Sequence, residues 1–143
     1  MREFADMLQV SITQNRTMLC IGLDPDPKLM PISDVLKFNK SVVDATKDLV
    51  CAYKPNLAFY EALGKVGFDA LDKTIDYIRS VAPSVTLIGD GKRGDIPSSS
   101  SRYATAMFEM WGFDAITVNG FAGLDSISPF LKYVDKGVFV WCR

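Results

Sequence analysis

An apolar run passes directly into a cluster of charges in the stretch Ser84-Val85-Thr86-Leu87-Ile88-Gly89-Asp90-Gly91-Lys92-Arg93-Gly94-Asp95-Ile96. The run from Ser84 to Gly89 is rich in β-branched and apolar residues, which predicts a buried strand. The polar segment Asp90 to Ser101 follows it and has four charged residues among its first six. In α/β proteins the ligand-facing residues lie just beyond the C-terminal ends of parallel strands. The stretch therefore indicates an α/β fold and marks where its chemistry should be sought.

Similar apolar runs occur on both sides of this stretch. They predict strand one at Thr17 to Leu23, strand two at Val50 to Asn56, strand four at Ala115 to Asn119 and strand five at Gly137 to Trp141. Helical spacing of apolar residues predicts helices over Phe4 to Ile12, Ser33 to Leu49, Phe68 to Val81, Tyr103 to Trp111 and Ser126 to Val134. Five uniformly apolar strands alternating with helices indicate a parallel sheet, either doubly wound or closed as a (β/α)8 TIM barrel.

The composition limits the classes of function. The chain has 143 residues, of which 48% are hydrophobic, and this suits one globular core. A net charge of -1 means that no bulk electrostatic field attracts nucleic acid or an anionic membrane. The opening residues Arg2, Glu3 and Asp6 lack an apolar signal core, and no stretch approaches the roughly 20 apolar residues of a membrane span. These features predict a cytoplasmic protein.

The reactive residue types are also restricted. The sequence contains no histidine, which excludes histidine triads, HExxH zinc sites and imidazole acid–base catalysis within these residues. Cys20, Cys51 and Cys142 are odd in number, widely spaced and embedded in apolar runs, so we expect buried thiols rather than disulfides or a metal site. Carboxylates, lysines, tyrosines and backbone groups must therefore carry any chemistry.

The charged segment after strand three has more than one interpretation. A solvated surface loop would explain it, but if the strand continues to Lys92, Asp90 and Lys92 lie on the same side, roughly 6.5–7 Å apart along the backbone. The segment also contains a formal G-x-G-x-x-G from Gly89 to Gly94, the pattern of a dinucleotide-binding turn. We reject a nucleotide-binding module for three reasons. Asp90 puts a carboxylate where pyrophosphate would bind, and Pro97 and the serines delay the helix. In addition, strand four ends at Asn119 where an acidic residue would be needed to bind the ribose.

Two other strand ends carry candidate residues. Lys54 interrupts an otherwise uncharged run near the end of strand two, where it either reaches out to solvent or faces a ligand or an acid. Asp24, at the end of strand one, lies in the turn Asp24-Pro25-Asp26-Pro27, and its plainer interpretation is an Asx turn or a helix cap.

Four blocks of the sequence can be considered together: Gly22-Leu23-Asp24-Pro25-Asp26, Lys54-Pro55-Asn56-Leu57-Ala58-Phe59-Tyr60-Glu61, Asp90-Gly91-Lys92-Arg93-Gly94-Asp95-Ile96 and Trp111-Gly112-Phe113-Asp114-Ala115-Ile116-Thr117-Val118-Asn119. In this order they resemble orotidine 5′-phosphate decarboxylase, in particular its bacterial-type longer branch. The D-x-K-x-x-D core alone is shared with related sugar-phosphate enzymes. The resemblance implies a TIM barrel that decarboxylates orotidine 5′-phosphate to uridine 5′-phosphate in pyrimidine biosynthesis, without a metal or another cofactor.

The resemblance also implies roles for single residues. Lys92 would donate the proton to C6 of the pyrimidine, and Asp90 would lie beside the departing carboxylate. Lys54 and Asp95 would complete an alternating charge network, and Asp24 and Lys54 would hold the ribose hydroxyls.

A shared active site is implied as well. In the family the second aspartate of the motif, here Asp95, reaches the active site of the neighbouring subunit of a homodimer, together with Ile96 and the hydroxyl residue at Ser99. Ser99 stands where the family usually has threonine, a change that keeps the hydroxyl group.

Two alternatives remain open from the sequence. One is a metal-dependent sugar-phosphate decarboxylase or aldolase of the same superfamily, and the other is a catalytically silent barrel fragment. A (β/α)8 barrel takes about 250 residues. We therefore expect that residues 1–143 are a single partial barrel domain with strands one to five, that the remaining units lie beyond Arg143, and that this chain alone is inactive.

Overall fold

The computed structural model describes residues 3–142, whose strands form one parallel sheet in the order β1-β2-β3-β4-β5. The strands are β1 Cys20–Leu23, β2 Ala52–Pro55, β3 Thr86–Arg93, β4 Ala115–Asn119 and β5 Gly137–Trp141. Because each strand pairs with the next one in the sequence, the strand order never reverses. This order is typical of a (β/α)8 barrel and differs from that of a doubly wound sheet.

Helices connect the strands. They are α1 Phe4–Asn15, α2 Val35–Thr46, α3 Leu57–Ala62, α4 Gly64–Val81, α5 Pro97–Ala104 and α6 Leu124–Leu131, and a π-helical segment, Thr105–Met110, continues α5. Helix α2 begins where the carboxylate of Asp34 accepts a hydrogen bond from the backbone N–H of Lys37, which satisfies an N–H group that the helix itself cannot pair. Helix α4 is amphipathic and buries Leu71, Ile75 and Ile78 in the core.

The two faces of the sheet have different partners, because alternate residues of a strand point to opposite sides. Outer-face residues join the main core with the helices, and inner-face residues contact α1. The central outer-face residues are Tyr53, Leu87 and Ile116, and their inner-face neighbours are Ala52, Ile88 and Ala115. Helix α1 inserts Phe4, Leu8 and Ile12 against this inner face. It thereby covers the inner face towards the N-terminal ends of the strands.

The strand predictions are correct in number and order, and β4 and β5 have the predicted bounds. Strand one begins at Cys20 rather than Thr17, because its ladder with β2 starts only at the pair formed by Cys20 and Ala52. Strand three continues past Gly89 to Arg93. The charged segment therefore begins within a strand and not in a solvated loop.

Each predicted helix is present, although at least one end of each differs from the predicted bounds, and two further points need correction. Helix α3 was not predicted, because a six-residue helix is too short to show a period; Asn56 begins it by accepting a hydrogen bond from the N–H of Ala58. The expectation that Pro97 and the serines delay the next helix is wrong, since α5 begins at Pro97. Proline suits the first helical position because the N–H that it lacks would have no partner there.

The cysteine prediction is right for one residue and wrong for two. Cys51 is buried, whereas Cys20 and Cys142 are exposed. Cys20 lies on β1 and Cys142 follows β5, so both are at the outermost strands of the sheet. Within residues 3–142, no helix combines the length and the apolar character needed to cross a membrane.

Candidate active site

Two lysines and one aspartate meet at the C-terminal ends of β2 and β3. Asp90 is 6% exposed, and each of its carboxylate oxygens accepts a hydrogen bond from a lysine. Lys54 Nζ lies 2.8 Å from Oδ2, and Lys92 Nζ lies 2.7 Å from Oδ1. The two lysine side chains are 34% and 41% exposed, so both ammonium groups border on solvent. The structure thus brings together three of the residues that the sequence singled out.

The backbone of β3 is irregular at this point. Gly89 pairs with Ile116 and Arg93 with Val118, so four residue steps in β3 lie opposite two in β4. Irregularities of this kind are common next to active sites, where they re-aim a side chain. Lys92 has a φ of 46°, in the left-handed region, which costs a residue other than glycine about 1–2 kcal/mol. Strain at a lysine that faces a buried carboxylate favours a functional role for it.

A third donor to Asp90, Thr117 in β4, was not among the sequence candidates. Its hydroxyl donates to Asp90 Oδ1 over 2.7 Å and accepts the backbone N–H of Lys92 over 2.9 Å. A β-branched residue in an apolar strand looks like an ordinary strand former. Its one signal in the sequence is its position two residues after Ala115, which places it on the inner face.

The hydrogen bonds to Asp90 determine its charge. Burial by itself raises the pKa of this carboxyl group, but the hydrogen bonds from Lys54, Lys92 and Thr117, with the positive charge of Lys54, outweigh burial and lower the pKa to about 2. Asp90 is therefore a carboxylate at neutral pH. A fixed negative charge flanked by two ammonium groups can repel a second carboxylate and stabilise a developing carbanion.

Asp24 is connected to this cluster through Asn56. It follows β1, and its Oδ2 accepts a hydrogen bond from Asn56 Nδ2 over 3.3 Å. Asn56 in turn forms an isolated β-bridge with Asp90. The Asx turn expected at Asp24 is formed instead by Asp26, whose Oδ1 accepts the backbone N–H of Lys28. The exposed Asp24 carboxylate is thus positioned beside the cluster.

Asp95, Ile96 and Ser99 lie outside the cluster. Asp95 Oδ1 accepts the N–H of Ile96 over 2.6 Å, and the backbone N–H and C=O of Asp95 both bond to the hydroxyl of buried Ser100. Asp95 and Ile96 are exposed, and Ser99 is partly buried in α5. Among the residues that the structure describes, Asp95 forms no ion pair with either lysine of the cluster. The four-charge network is therefore not closed within one chain.

Comparison with protein families identifies the chain. Residues 17–140 match the family described as orotidine 5′-phosphate decarboxylase / HUMPS. The chain belongs to this family. The resemblance inferred from the four sequence blocks is confirmed.

Individual relatives agree with the family match. A Dehalococcoides mccartyi protein described as orotidine 5′-phosphate decarboxylase is 45% identical over 142 residues, covering 99% of this chain and 52% of the relative. A Herpetosiphon aurantiacus protein of the same description is 47% identical over 146 residues, covering 98% and 54%. The solved structure of Leishmania donovani OMP decarboxylase matches with a TM-score of 0.87 at 35% identity, covering 99% of this chain and 54% of that one.

The extent of these matches also defines the architecture. The chain spans about half the length of the curated relatives it matches. Together with the sequential parallel sheet, the structural likeness confirms the α/β class and makes the described residues part of a TIM barrel. The lysine–aspartate cluster lies at the C-terminal ends of the strands, where TIM-barrel active sites are found.

Lys54→Met is expected to lower the free energy of unfolding at pH 7 by about 1 kcal/mol, after allowance for solvent around the lysine. The reason is that Asp90 loses one of the groups that keep it ionised while buried. A depressed carboxyl pKa stabilises the fold above the ordinary value of 3.8, and this stabilisation is lost as the pH falls through about 2. The variant and the parent should therefore converge in stability near pH 2.

Urea unfolding at pH 7 and near pH 2 measures this difference. A suitable protein is a fusion of residues 1–143 to the remaining half of the Dehalococcoides mccartyi relative, called the chimera below. The control is Lys47→Met, which removes a lysine as exposed as Lys54, with its Nζ 3.9 Å from exposed Asp44, and which should change stability little. An equal loss of stability in both variants, or a loss that persists near pH 2, would contradict the conclusion that Lys54 stabilises the fold through the ionised Asp90.

Proposed function

We propose that this chain supplies the N-terminal half of an orotidine 5′-phosphate decarboxylase active site. The observation that carries the proposal is the pair of ammonium groups, from Lys54 and Lys92, held on the two oxygens of buried Asp90. Membership of the family and the descriptions of the relatives support the reaction, which is the decarboxylation of orotidine 5′-phosphate to uridine 5′-phosphate in pyrimidine biosynthesis.

In the proposed reaction the bond between C6 of the pyrimidine and its carboxylate breaks. The electron pair of that bond stays on C6 as CO2 leaves. The ammonium group of Lys92 stabilises the negative charge on C6 and then donates a proton to it. Lys92 is left as a neutral amine and regains a proton from water. No metal or organic cofactor takes part in this proposal.

Asp90 is proposed to raise the free energy of the bound substrate. At a separation of about 4 Å and an effective dielectric constant near 20, its carboxylate and that of the substrate repel each other by about 4 kcal/mol. Loss of CO2 relieves this repulsion, which is worth about three decades of rate if it acts only in the ground state. The lowered pKa of Asp90 supports this role, because a protonated carboxyl group would not repel the substrate.

Lys54 and Asp24 are proposed to bind the ribose hydroxyls. They lie at the ends of the adjacent strands β2 and β1, and Asn56 contacts Asp24 from the β2 side. A lysine donates hydrogen bonds and a carboxylate accepts them, so the two side chains can pair with both functions of a sugar diol.

We further propose a homodimer with shared active sites. Asp95 and Ile96 are exposed, and the hydroxyl of Ser100 fixes the backbone of Asp95 from α5. An exposed carboxylate on a fixed backbone, outside the cluster of its own chain, suits contact with the site of a neighbouring subunit. Ser99, in the first turn of α5, would add a hydroxyl to that contact.

The reaction can be tested directly in the chimera. It should release CO2 from orotidine 5′-phosphate, and the rate should be unchanged by a chelator. Within residues 3–142 no group of three or more Asp, Glu or Cys side chains is placed to hold a metal ion. The metal-dependent alternative acts on a sugar phosphate and requires a divalent cation. Loss of all activity in chelator, restored by added metal, would favour that alternative.

A mixing experiment tests the shared site. Lys92→Ala and Asp95→Ala chimeras should each be inactive, and their mixture should recover activity, because a heterodimer has one site in which both residues are intact. Random exchange makes about half of the dimers mixed, each with one working site, so the mixture should approach about a quarter of the parental rate. Subunit exchange is verified by native mass spectrometry. Absence of recovery despite exchange would mean that Asp95 acts within its own subunit.

A further inference from the structure

The hydroxyl of Thr117 closes a ring of hydrogen bonds that begins and ends on Lys92. The backbone N–H of Lys92 donates to Thr117 Oγ1 over 2.9 Å, and that hydroxyl donates to Asp90 Oδ1 over 2.7 Å. The same Oδ1 atom accepts the side-chain ammonium of Lys92 over 2.7 Å. The backbone N–H and the side-chain Nζ of Lys92 are therefore connected by hydrogen bonds through Thr117 and Asp90.

The irregular pairing of β3 explains why the backbone needs this hydroxyl. Regular pairing is interrupted between Gly89 and Arg93, so the N–H of Lys92 has no regular ladder partner. Thr117 lies in β4 between Ile116 and Val118, the two residues that flank the interruption. Its side chain thus replaces a backbone acceptor, and it does so at a residue held at a φ of 46°.

The hydrogen-bonding capacity of the hydroxyl determines the direction of each contact. A threonine hydroxyl has one proton to donate and accepts elsewhere. The N–H of Lys92 can only donate, so Oγ1 must accept it, and its own proton is then free to point at the Asp90 carboxylate. A side chain without a hydroxyl would break both contacts together, whereas serine would keep both.

We infer that Thr117 is a positioning residue for proton transfer, which fixes the backbone of Lys92 and the carboxylate of Asp90 with a single hydroxyl group. This inference rests on the proposed function of Lys92. Thr117 itself takes no proton and needs no contact with the substrate. Its effect is on where the ammonium group points, and a misplacement of about 1 Å can cost about 100-fold in rate.

The test uses three variants of the chimera. Thr117→Val keeps the β-branched shape and removes the hydroxyl, Thr117→Ser keeps the hydroxyl, and Thr117→Ala provides a smaller side chain if valine impairs folding. The matched control is Thr46→Val in α2, which loses hydrogen bonds to Val42 O and to Tyr53 Oη on the outer face of the sheet, opposite to the inner face that carries Thr117. Steady-state kinetics with orotidine 5′-phosphate give kcat and KM, and thermal unfolding reports stability.

Thr117→Val and Thr117→Ala are expected to lower kcat by about 100-fold with little change in KM, because the ground-state contacts of the substrate are kept. Thr117→Ser should recover most of kcat, and Thr46→Val should keep all of it. The inference is overturned if the valine and alanine variants lose stability but keep the parental kcat, because the hydroxyl then only stabilises the irregular strand pairing. It is also overturned if the kcat of the serine variant is as low as that of the valine variant.

The same experiment separates this inference from the proposed function. If the parent chimera is active and Lys92→Ala is not, the function stands, and a fully active Thr117→Val then refutes the role of Thr117 alone. If Lys92→Ala is as active as its parent, the proposed function fails and the inference fails with it.

Discussion

Lys92→Ala is expected to lower kcat for orotidine 5′-phosphate by at least about four orders of magnitude in the chimera, because it removes both a general acid and a stabilising positive charge. Lys92→Arg should restore little, since a guanidinium keeps the charge but does not give up its proton. Asp90→Asn should also be severe. The amide keeps the shape of the side chain but removes the repulsion and leaves two ammonium groups without their carboxylate.

Single-turnover measurements of CO2 release separate this chemical step from product release. Circular dichroism and thermal unfolding check that each variant remains folded. Lys47→Ala serves as the control, because it removes a partly buried lysine that directly follows α2 and forms no ion pair with Asp90. If the turnover of Lys92→Ala is within about tenfold of the parent, Lys92 lowers the activation free energy by no more than about 1.4 kcal/mol. That result would refute its proposed role as the proton donor.

The polypeptide of residues 1–143, purified by itself, should show no measurable decarboxylation and should self-associate. Barrel phosphate sites commonly lie in the loops after strands seven and eight, whereas the described residues contain five strands. Binding energy from a remote phosphate organises the reacting centre, so its loss lowers turnover as well as affinity. In addition, Phe139, Val140 and Trp141 on the edge strand β5 are all more than 40% exposed, and an exposed apolar edge strand is an aggregation site.

Light scattering and the same CO2 assay measure both parts of this prediction. Val140→Lys puts a charge on the edge strand and should reduce self-association without restoring turnover, which separates the assembly effect from the missing chemistry. Co-expression with the C-terminal half of the Dehalococcoides mccartyi relative should restore activity to the unmodified polypeptide. A monodisperse 143-residue protein as active as the chimera would refute this prediction.

The general plan of the fold was predictable because buried parallel strands leave a direct record in the sequence. An apolar run such as Ala115 to Asn119 is stable only in the interior, and the predicted bounds of this run agree with those of β4. Short elements leave no such record. Helix α3 has only six residues, and the serines after Pro97 have low helix propensity, yet the proline and tertiary packing place them in α5.

The candidate site was predictable where charge interrupts an apolar pattern. Lys54, Asp90 and Lys92 stand out in this way, and the structure brings them within hydrogen-bonding distance. Thr117 could not be found in the same way, because a threonine conforms to the strand pattern. Its importance depends on an interruption of the ladder between β3 and β4, and that is a property of two strands together.

The left-handed backbone at Lys92 has a consequence for protein engineering. A scheme that improves stability by relieving unfavourable φ values would select position 92, where glycine adopts a φ of 46° without steric cost. Accepting that change would remove the proposed proton donor. The residue is therefore a place where selection for thermal stability and selection for turnover oppose each other, and libraries built on this chain should keep position 92 fixed.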